Sequence, residues 1–465
     1  MKLLSIAWRN ILRNRRRTAF TLAAVAVAAT AMLLLGGYVK ATVRALETDT
    51  VRQVGHLQIM AKGFLEFGRG NAGRFALRDH EAIAAALRAD PVLQSLLVTA
   101  TPVLQVQGVV GNYAEGTSTN FAGSGWDPQA RSRMLEWDGN HMRLPPGAVF
   151  ISEDKPHAGV IGAGLAQLLG MCEVLAVKDC VPVRQATVDA SAPVMASDLA
   201  QLTQRAMEPV RAEPAAQTVS VELMSSGATG APNVVRMEVL RAQRQGAREF
   251  DAMFIGMPLA LAQRLLFGPQ GKGASAVVLQ LKDSGDMERA KARVQAVLGA
   301  HATPLEVHDF HTIQPNFDQV VAMFTAIFRF VTVLMAVVTL FTVANTINMA
   351  VNERIGEIGS LRAIGFTQGH VRGMFLIEGA LIGAIGAGVG ALSAIGLGEY
   401  VINRSGLSWT PPGRSTAVPI AVDILGNPAF IAMAIALFAL LACASSWWPA
   451  RRASRLEIVE ALRHV

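Results

Sequence analysis

Charge is scarce in this sequence. Only 17% of its 465 residues are Asp, Glu, Lys or Arg, 51% are hydrophobic, and mean hydropathy is +0.35. Soluble globular chains carry about a quarter of charged residues, so a wholly soluble protein is excluded, and membrane spans beside a sizeable soluble part are expected. Cysteine is scarcer still, three residues in all, which excludes a disulfide-dense secreted scaffold. Nucleotide-binding and catalytic motifs are missing too. The stretch GPQGKGAS at Gly268 has glycines and Lys272, but not the spacing of a phosphate-binding loop, and Gly273 follows the lysine. No G-x-S-x-G, H-E-x-x-H or C-x-x-C occurs. His56, His80, His141, His157, His301, His308 and His311 are scattered. Of these, His308 and His311 lie closest, and read as a solvated loop. The pair Glu153–Asp154 reads as a surface turn. No catalytic residue and no metal site is expected, so the chain is not read as an enzyme.

The charges that are present cluster. Lys2, Arg9, Arg13, Arg15, Arg16 and Arg17 precede one apolar run, and Arg451, Arg452, Arg455 and Arg463 follow another. Each cluster abuts a membrane candidate, which is the positive-inside pattern rather than a nucleic-acid footprint. Four apolar runs, 18–39, 328–351, 373–398 and 424–448, are each long enough for a bilayer core of about 30 Å at about 1.5 Å per residue. The first is too long for a signal peptide's apolar region and lacks a convincing cleavage site, so it reads as a retained span. Residues 1–17 read as an interfacial amphipathic helix anchored by Trp8, and 449–465 as a cytoplasmic tail. Both termini then lie in the cytoplasm.

The fold class expected is a membrane α-helical protein of four transmembrane helices, with a large α+β extracytoplasmic domain, 40–320, inserted between helices one and two. Within it, His56–Met60, Pro102–Val110 and Ala276–Leu281 read as strands. His80–Arg88 and Met287–Leu298 read as helices, the first stopped by Asp90-Pro91. Asp251–Leu266 reads as strand, turn and helix, with Pro258 at the helix start. Val149–Gly170 reads as a strand, a turn built on Gly159, Gly162 and Gly164, and a helix. The Ala-, Pro-, Ser- and Gln-rich segment 186–233 reads as a variable insert. Residues 399–423 form a short second external loop. Cys172 and Cys180 are close in sequence and external, which suits a disulfide; the alternative is two unpaired thiols. Cys443 reads as packing within span four.

Residues 352–372 are the most informative. Arg354, Glu357 and Arg362 alternate with Ile355, Ile358, Leu361 and Ile364 at helical spacing, as in a short amphipathic helix at a membrane face. Next comes a span with Gly379, Gly383, Gly386 and Gly390, small residues that let helices approach closely. Glu378, the ionisable group at the start of this span, either contacts the amphipathic helix or a partner, or sits at the interface near Arg372.

Three stretches carry a family resemblance. They are Arg354-x-x-Glu357-Ile358-Gly359-x-Leu361-Arg362-Ala363-x-Gly365, Glu378-Gly379 with the glycine-rich span, and the tail from Pro449-Ala450-Arg451-Arg452-Ala453 to Val459-Glu460-Ala461-Leu462-Arg463. The start, Ala7-Trp8-Arg9-Asn10 with its arginine cluster, and the external stretch Gly162–Gly170 are similar as well. Together they resemble the FtsX-like permease family, the macrolide-exporter and lipoprotein-release permeases of the mechanotransmission (type VII) ABC class. Ile458 departs from the proline usual in the family tail, and the Cys172/Cys180 pair and the 186–233 stretch have no counterpart. The resemblance implies a permease of the bacterial inner membrane, dimeric with itself or with a second permease. It implies a separate cytoplasmic ATPase, which binds the ATP and Mg²⁺, and no cofactor on this chain. Arg354, Glu357, Ile358, Gly359, Leu361, Arg362 and Gly365 would form the coupling segment seated on that ATPase. The task implied is extraction or export of a lipoprotein, lipid or other periplasmic substrate, with membrane lipid and a periplasmic or outer-membrane partner involved. Peptide or drug efflux, and regulation of a periplasmic partner such as a cell-wall hydrolase, are the alternatives.

Overall fold

The computed structural model describes residues 7, 9, 10, 13, 15–70, 72–140, 154–178, 180, 219–228, 230–299, 304–410 and 413–455. Trp8, His141, Glu153, His301, residues 186–218 of the expected insert and the tail beyond Arg455 lie outside them. Two compact units form. One comprises Met1–Leu46, Asn316–Trp409 and Val418–Val465, and the other Glu47–Pro315 with Thr410–Ala417.

Helix α1, Arg15–Val54, has 40 residues and is about 60 Å long at about 1.5 Å per residue. That is nearly twice the length expected from hydropathy over 18–39. Apolarity marks only the bilayer-crossing part; Lys40, Arg44 and Glu47 continue the helix because long charged side chains are good helix formers.

The unit Glu47–Pro315 is built on a nine-stranded sheet in the order β3-β7-β4-β6-β5-β2-β8-β1-β9. The strands are β1 Leu57–Ala61, β2 Leu97–Asn112, β3 Thr117–Trp126, β4 Ala158–Gly162, β5 Ser220–Ser226, β6 Pro232–Gln243, β7 Phe254–Pro258, β8 Ala276–Leu281 and β9 Leu305–Asp309. An added β2–β3 pairing closes six of them into a ring. Inside lie Leu104, Phe121, Ile161, Val221, Leu223, Met237 and Ile255, all buried. Helices α2 His80–Ala89, α3 Pro128–Leu135, α4 Leu259–Phe267 and α5 Met287–Leu298 pack on the sheet. A second core under α2 and α5 gathers Leu57, Ile59, Ile83, Leu87, Leu279 and Val294.

Three details differ from expectation. Gly159 and Gly162 belong to β4, not to a turn. A Cβ on Gly162 would stand 2.0 Å from the Asp251 carbonyl oxygen, so glycine here admits a neighbouring backbone. Residues 220–226 and 232–233 of the expected insert are strand, because Val221, Leu223 and Ser225 alternate inward beneath an unpromising composition. His308 lies in β9 near Glu306 at 3.3 Å, and His311 stacks on Phe310, so neither is a loose loop residue. Cys172 and Cys180 are joined in a disulfide.

His56 is fully buried between Trp137 and Phe310. Its Nδ1 accepts from the Leu281 N–H at 3.0 Å, which leaves the ring proton on Nε2, 3.1 Å from the Ser284 hydroxyl. Burial, opposed by Asp283, holds its pKa down to about 4 from 6.5. A folded state that binds fewer protons than the unfolded one loses stability as pH falls. The loss should begin near pH 6.5, amount to roughly 3 kcal/mol by pH 4, and level off below that. Thermal unfolding of the full chain across this range should show the slope, and His56→Gln should flatten it.

Helix α6, Pro315–Glu353, runs for 39 residues. Then follow α7, Ile355–Ala363, α8, Gln368–Ile395, and α9, Pro428–Ser454. Among the described residues four helices, α1, α6, α8 with its extension to Ser405, and α9, are long and apolar enough to cross a membrane. Their shared core includes Val25, Ala29, Val343, Ile347, Phe375, Ile382 and Phe438.

Candidate functional site

The glycine stripe of α8 divides between two neighbours. A Cβ on Gly379 would meet Ser446 Oγ at 2.0 Å, and one on Gly383 the Phe438 carbonyl oxygen at 2.6 Å, both on α9. At Gly386 it would meet Val25 at 2.8 Å, and at Gly390 the Ala26 carbonyl oxygen at 2.5 Å, both on α1. One face of α8 thus seats two helices at backbone distance. Thr30 adds a hydrogen bond across the second contact, donating to the Gly390 carbonyl at 3.0 Å.

At the other end of α8 lies the short helix. The chain breaks out of α6 at Arg354 (φ −118°) and runs nine residues as α7. It then turns through Gly365 at φ +105°, a left-handed conformation suited to glycine. Thr367 caps α8 by accepting from the His370 N–H.

Arg354 is not a surface residue. It is 5% exposed, and its Nη1 lies 3.5 Å from Oε2 of Glu378, itself 4% exposed. The approach lacks hydrogen-bond geometry, so charge alone holds it. Nη2 of Arg354 donates to the Asn10 carbonyl at 3.3 Å. Ile358 and Gly359 are buried beside it. Arg372, the neighbour of Glu378 in sequence, lies over the Trp447 ring instead.

The N-terminal arginines complete the arrangement. Arg13 pairs with Glu357 at 2.6 Å and Arg17 with Glu353 at 2.9 Å. Arg13 and Arg17 are four apart in sequence, as are their partners, although Glu353 ends α6 and Glu357 lies on α7 beyond the break at Arg354. Sequence reading missed this ladder, and its one signal is the matched spacing of four. The Arg13 pair is exposed and worth well under about 1 kcal/mol, so it orients more than it stabilises.

What remains outward on and just after α7 is Glu357, Ser360, Ala363, Ile364 and Gly365, with Ile364 81% exposed. The sequence reading laid Ile355, Ile358, Leu361 and Ile364 along one membrane-facing stripe. The structure separates them: Ile358 is buried, Ile355 and Leu361 are half-buried, and Ile364 lies beyond the helix end. Arg362 is half-buried. Among the described residues no group of three or more His, Cys, Asp and Glu side chains is set to hold a metal.

Comparison with known proteins bears on this same region. Residues 329–458 match the model of the FtsX-like permease C-terminal family. The chain is 28% identical over 233 residues to the macrolide export ATP-binding/permease protein MacB 1/2 of Paracoccus denitrificans, covering 48% of this chain and 32% of that protein. It is 31% identical over 139 residues to the ABC transporter permease YtrF of Bacillus subtilis, 29% of this chain and 31% of that one. It is 27% identical over 169 residues to the lipoprotein-releasing system transmembrane protein LolC of Haemophilus influenzae, 36% and 41% respectively. The matches thus span about a third to two fifths of these relatives' length. The region that holds α7, the buried Arg354–Glu378 pair and the glycine stripe therefore lies within the stretch that is similar to the FtsX-like permease C-terminal family.

Proposed function

We propose that this chain is the permease subunit of an ABC transporter of the bacterial inner membrane, with α7 and both termini facing the cytoplasm. One observation carries the reading: within the family-matched region, a short helix is held inward by the buried Arg354 and Ile358 and presents an exposed outer edge. A cytoplasmic ATPase that holds ATP and Mg²⁺ would seat on that edge. When nucleotide closes the ATPase, α7 moves and α8 moves with it. Backbone-distance contacts at Gly379, Gly383, Gly386 and Gly390 leave no slack between α8, α9 and α1. Helices α1 and α6 each continue well past a bilayer's thickness, so their motion acts on the unit Glu47–Pro315. That unit would work on a lipoprotein, lipid or other periplasmic substrate. Dimerisation with a second permease suits α6, which exposes Met323, Ile327, Phe330, Leu334, Val337 and Phe341 at alternating spacings of four and three.

Ile364→Asp and Glu357→Arg test the seat. Each should lower ATPase stimulation by the membrane-inserted chain about tenfold or more, with insertion unchanged. Full stimulation in both variants would refute the seat.

A further inference from the structure

Helix α7 has nine residues, a turn at Arg354 before it and the φ +105° turn at Gly365 after it. A helix of that length does not hold its own orientation in water. Two flanking turns would let it swivel, and a push on its outer edge would be absorbed there. Ile358 is its one fully buried large apolar side chain, and a single contact does not fix a rotation. Something else must set the angle of α7.

We propose that the buried Arg354–Glu378 pair is that positioning device. It fixes the start of α7 to α8, and through Asn10 to the N-terminal segment, so that displacement of α7 is delivered to α8. The proposal rests on the reading of α7 as the coupling helix. Neither residue touches the ATPase in this account, because both are buried. An apolar pair of similar volume would serve stability as well or better; what a charge pair adds is a single preferred register between two elements. The missing hydrogen bond between Arg354 Nη1 and Glu378 Oε2 fits this role. A charge contact of 3.5 Å orients α7 yet tolerates the small slide that a power stroke requires. Of the other charged pairs at this junction, Arg17 with Glu353 joins the N-terminal helix to the end of α6 and does not reach α7, and Arg13 with Glu357 reaches α7 only through a solvent-exposed contact that holds it weakly.

The test measures angle and coupling separately. Spin labels at Ser360→Cys and Ala444→Cys, both exposed positions on α7 and α9, are placed in a Cys443→Ser background of the full chain in nanodiscs. The parent should give one narrow distance distribution. Arg354→Gln and Glu378→Gln should each widen it about twofold, Arg354→Lys should stay near the parent, and the exchange Arg354→Glu with Glu378→Arg should narrow it again. With the ATPase present, each single neutral variant should lose about tenfold of its stimulation while still binding the ATPase, and the exchange should regain most of it. Unchanged distances in the single variants overturn the proposal. So does an exchange variant that folds and stays as wide as the singles. Distances that follow the pair while no form stimulates the ATPase uphold the positioning role and overturn the coupling reading instead.

Discussion

Leucine at Gly383 should unseat span four from span three. A Cβ alone would stand 2.6 Å from the Phe438 carbonyl oxygen and 2.7 Å from the Ala442 Cβ, so even alanine overlaps backbone that has nowhere to go. Adding methylenes to a close-packed site costs about 1–3 kcal/mol where side chains can shift; here the obstacle is the backbone of α9, and roughly 3 kcal/mol or more is expected. In detergent the unfolding temperature should fall by about 10 °C. Gly390→Leu should act alike against α1, where the Ala26 carbonyl oxygen is 2.5 Å away. Gly388→Ala is the control, since nothing lies within 4 Å of its Cβ position and the better helix former stabilises by up to about 1 kcal/mol. These contacts are within one chain, so the readout is the stability of the membrane unit rather than its dimerisation. A Gly383→Leu chain as stable as the parent would contradict the close packing.

The second large effect is expected at Arg131→Met. A helix ends with carbonyls that lack donors, and at the end of α1 the Gly55 N–H reaches Val51 at 2.9 Å while side chains serve the other three. Arg131 Nη1 donates to the carbonyls of Arg52 at 2.7 Å and Gln53 at 3.2 Å. Gln280 serves Val51 at 3.3 Å and Gln58 serves Val54 at 2.7 Å. Gly55, at φ +75°, turns the chain away, with a Cβ there only 2.4 Å from Val278. Desolvation, opposed by Asp49, holds the Arg131 pKa down to about 10, so it stays charged at neutral pH. Its guanidinium also lies over the Trp126 ring. Losing a charged double donor at a helix end costs about 3 kcal/mol. Hydrogen exchange of the full chain should show about a hundredfold less protection at the amides of 51–56, while those of β5 and β6 stay unchanged. Unaltered protection at 51–56 would show that Arg131 does not secure this end.

The four long apolar helices, the α+β character of the unit between the first two and several individual elements were legible because their signals are local. Ala276–Leu281 and Met287–Leu298 have the expected bounds, since a short Val- and Leu-rich run and a helical apolar stripe each declare themselves. The length of α1 was not legible from hydropathy, which reports where lipid is, not where hydrogen bonding stops. Strand β5 was hidden by its neighbours: Val221 and Leu223 alternate inward at the end of a polar, alanine-rich stretch.

The site was legible in identity but not in geometry. Glu378 stood out as a carboxylate in an apolar span, and Arg372 was its near neighbour in sequence. The chain reverses at Gly365 between α7 and α8, which brings Arg354 to Glu378 and leaves Arg372 with Trp447. No spacing rule spans such a reversal. The Arg13–Glu357 pair, 344 positions apart, was further out of reach. Residues that the sequence grouped as one coupling surface, Arg354 with Glu357 and Ile358 with Ile364, divide into a buried set, Arg354 and Ile358, and an outward set, Ile364 and the Arg13-paired Glu357.

The central claim, a permease driven by a partner ATPase, is tested most directly by purifying this chain from its own membranes in mild detergent with non-hydrolysable nucleotide, and identifying what accompanies it by mass spectrometry. The account predicts an ABC ATPase in stoichiometric amount, lost from the Ile364→Asp chain, with a lipoprotein or lipid as the candidate cargo. A dimer recovered intact with no ATPase on it would contradict the account.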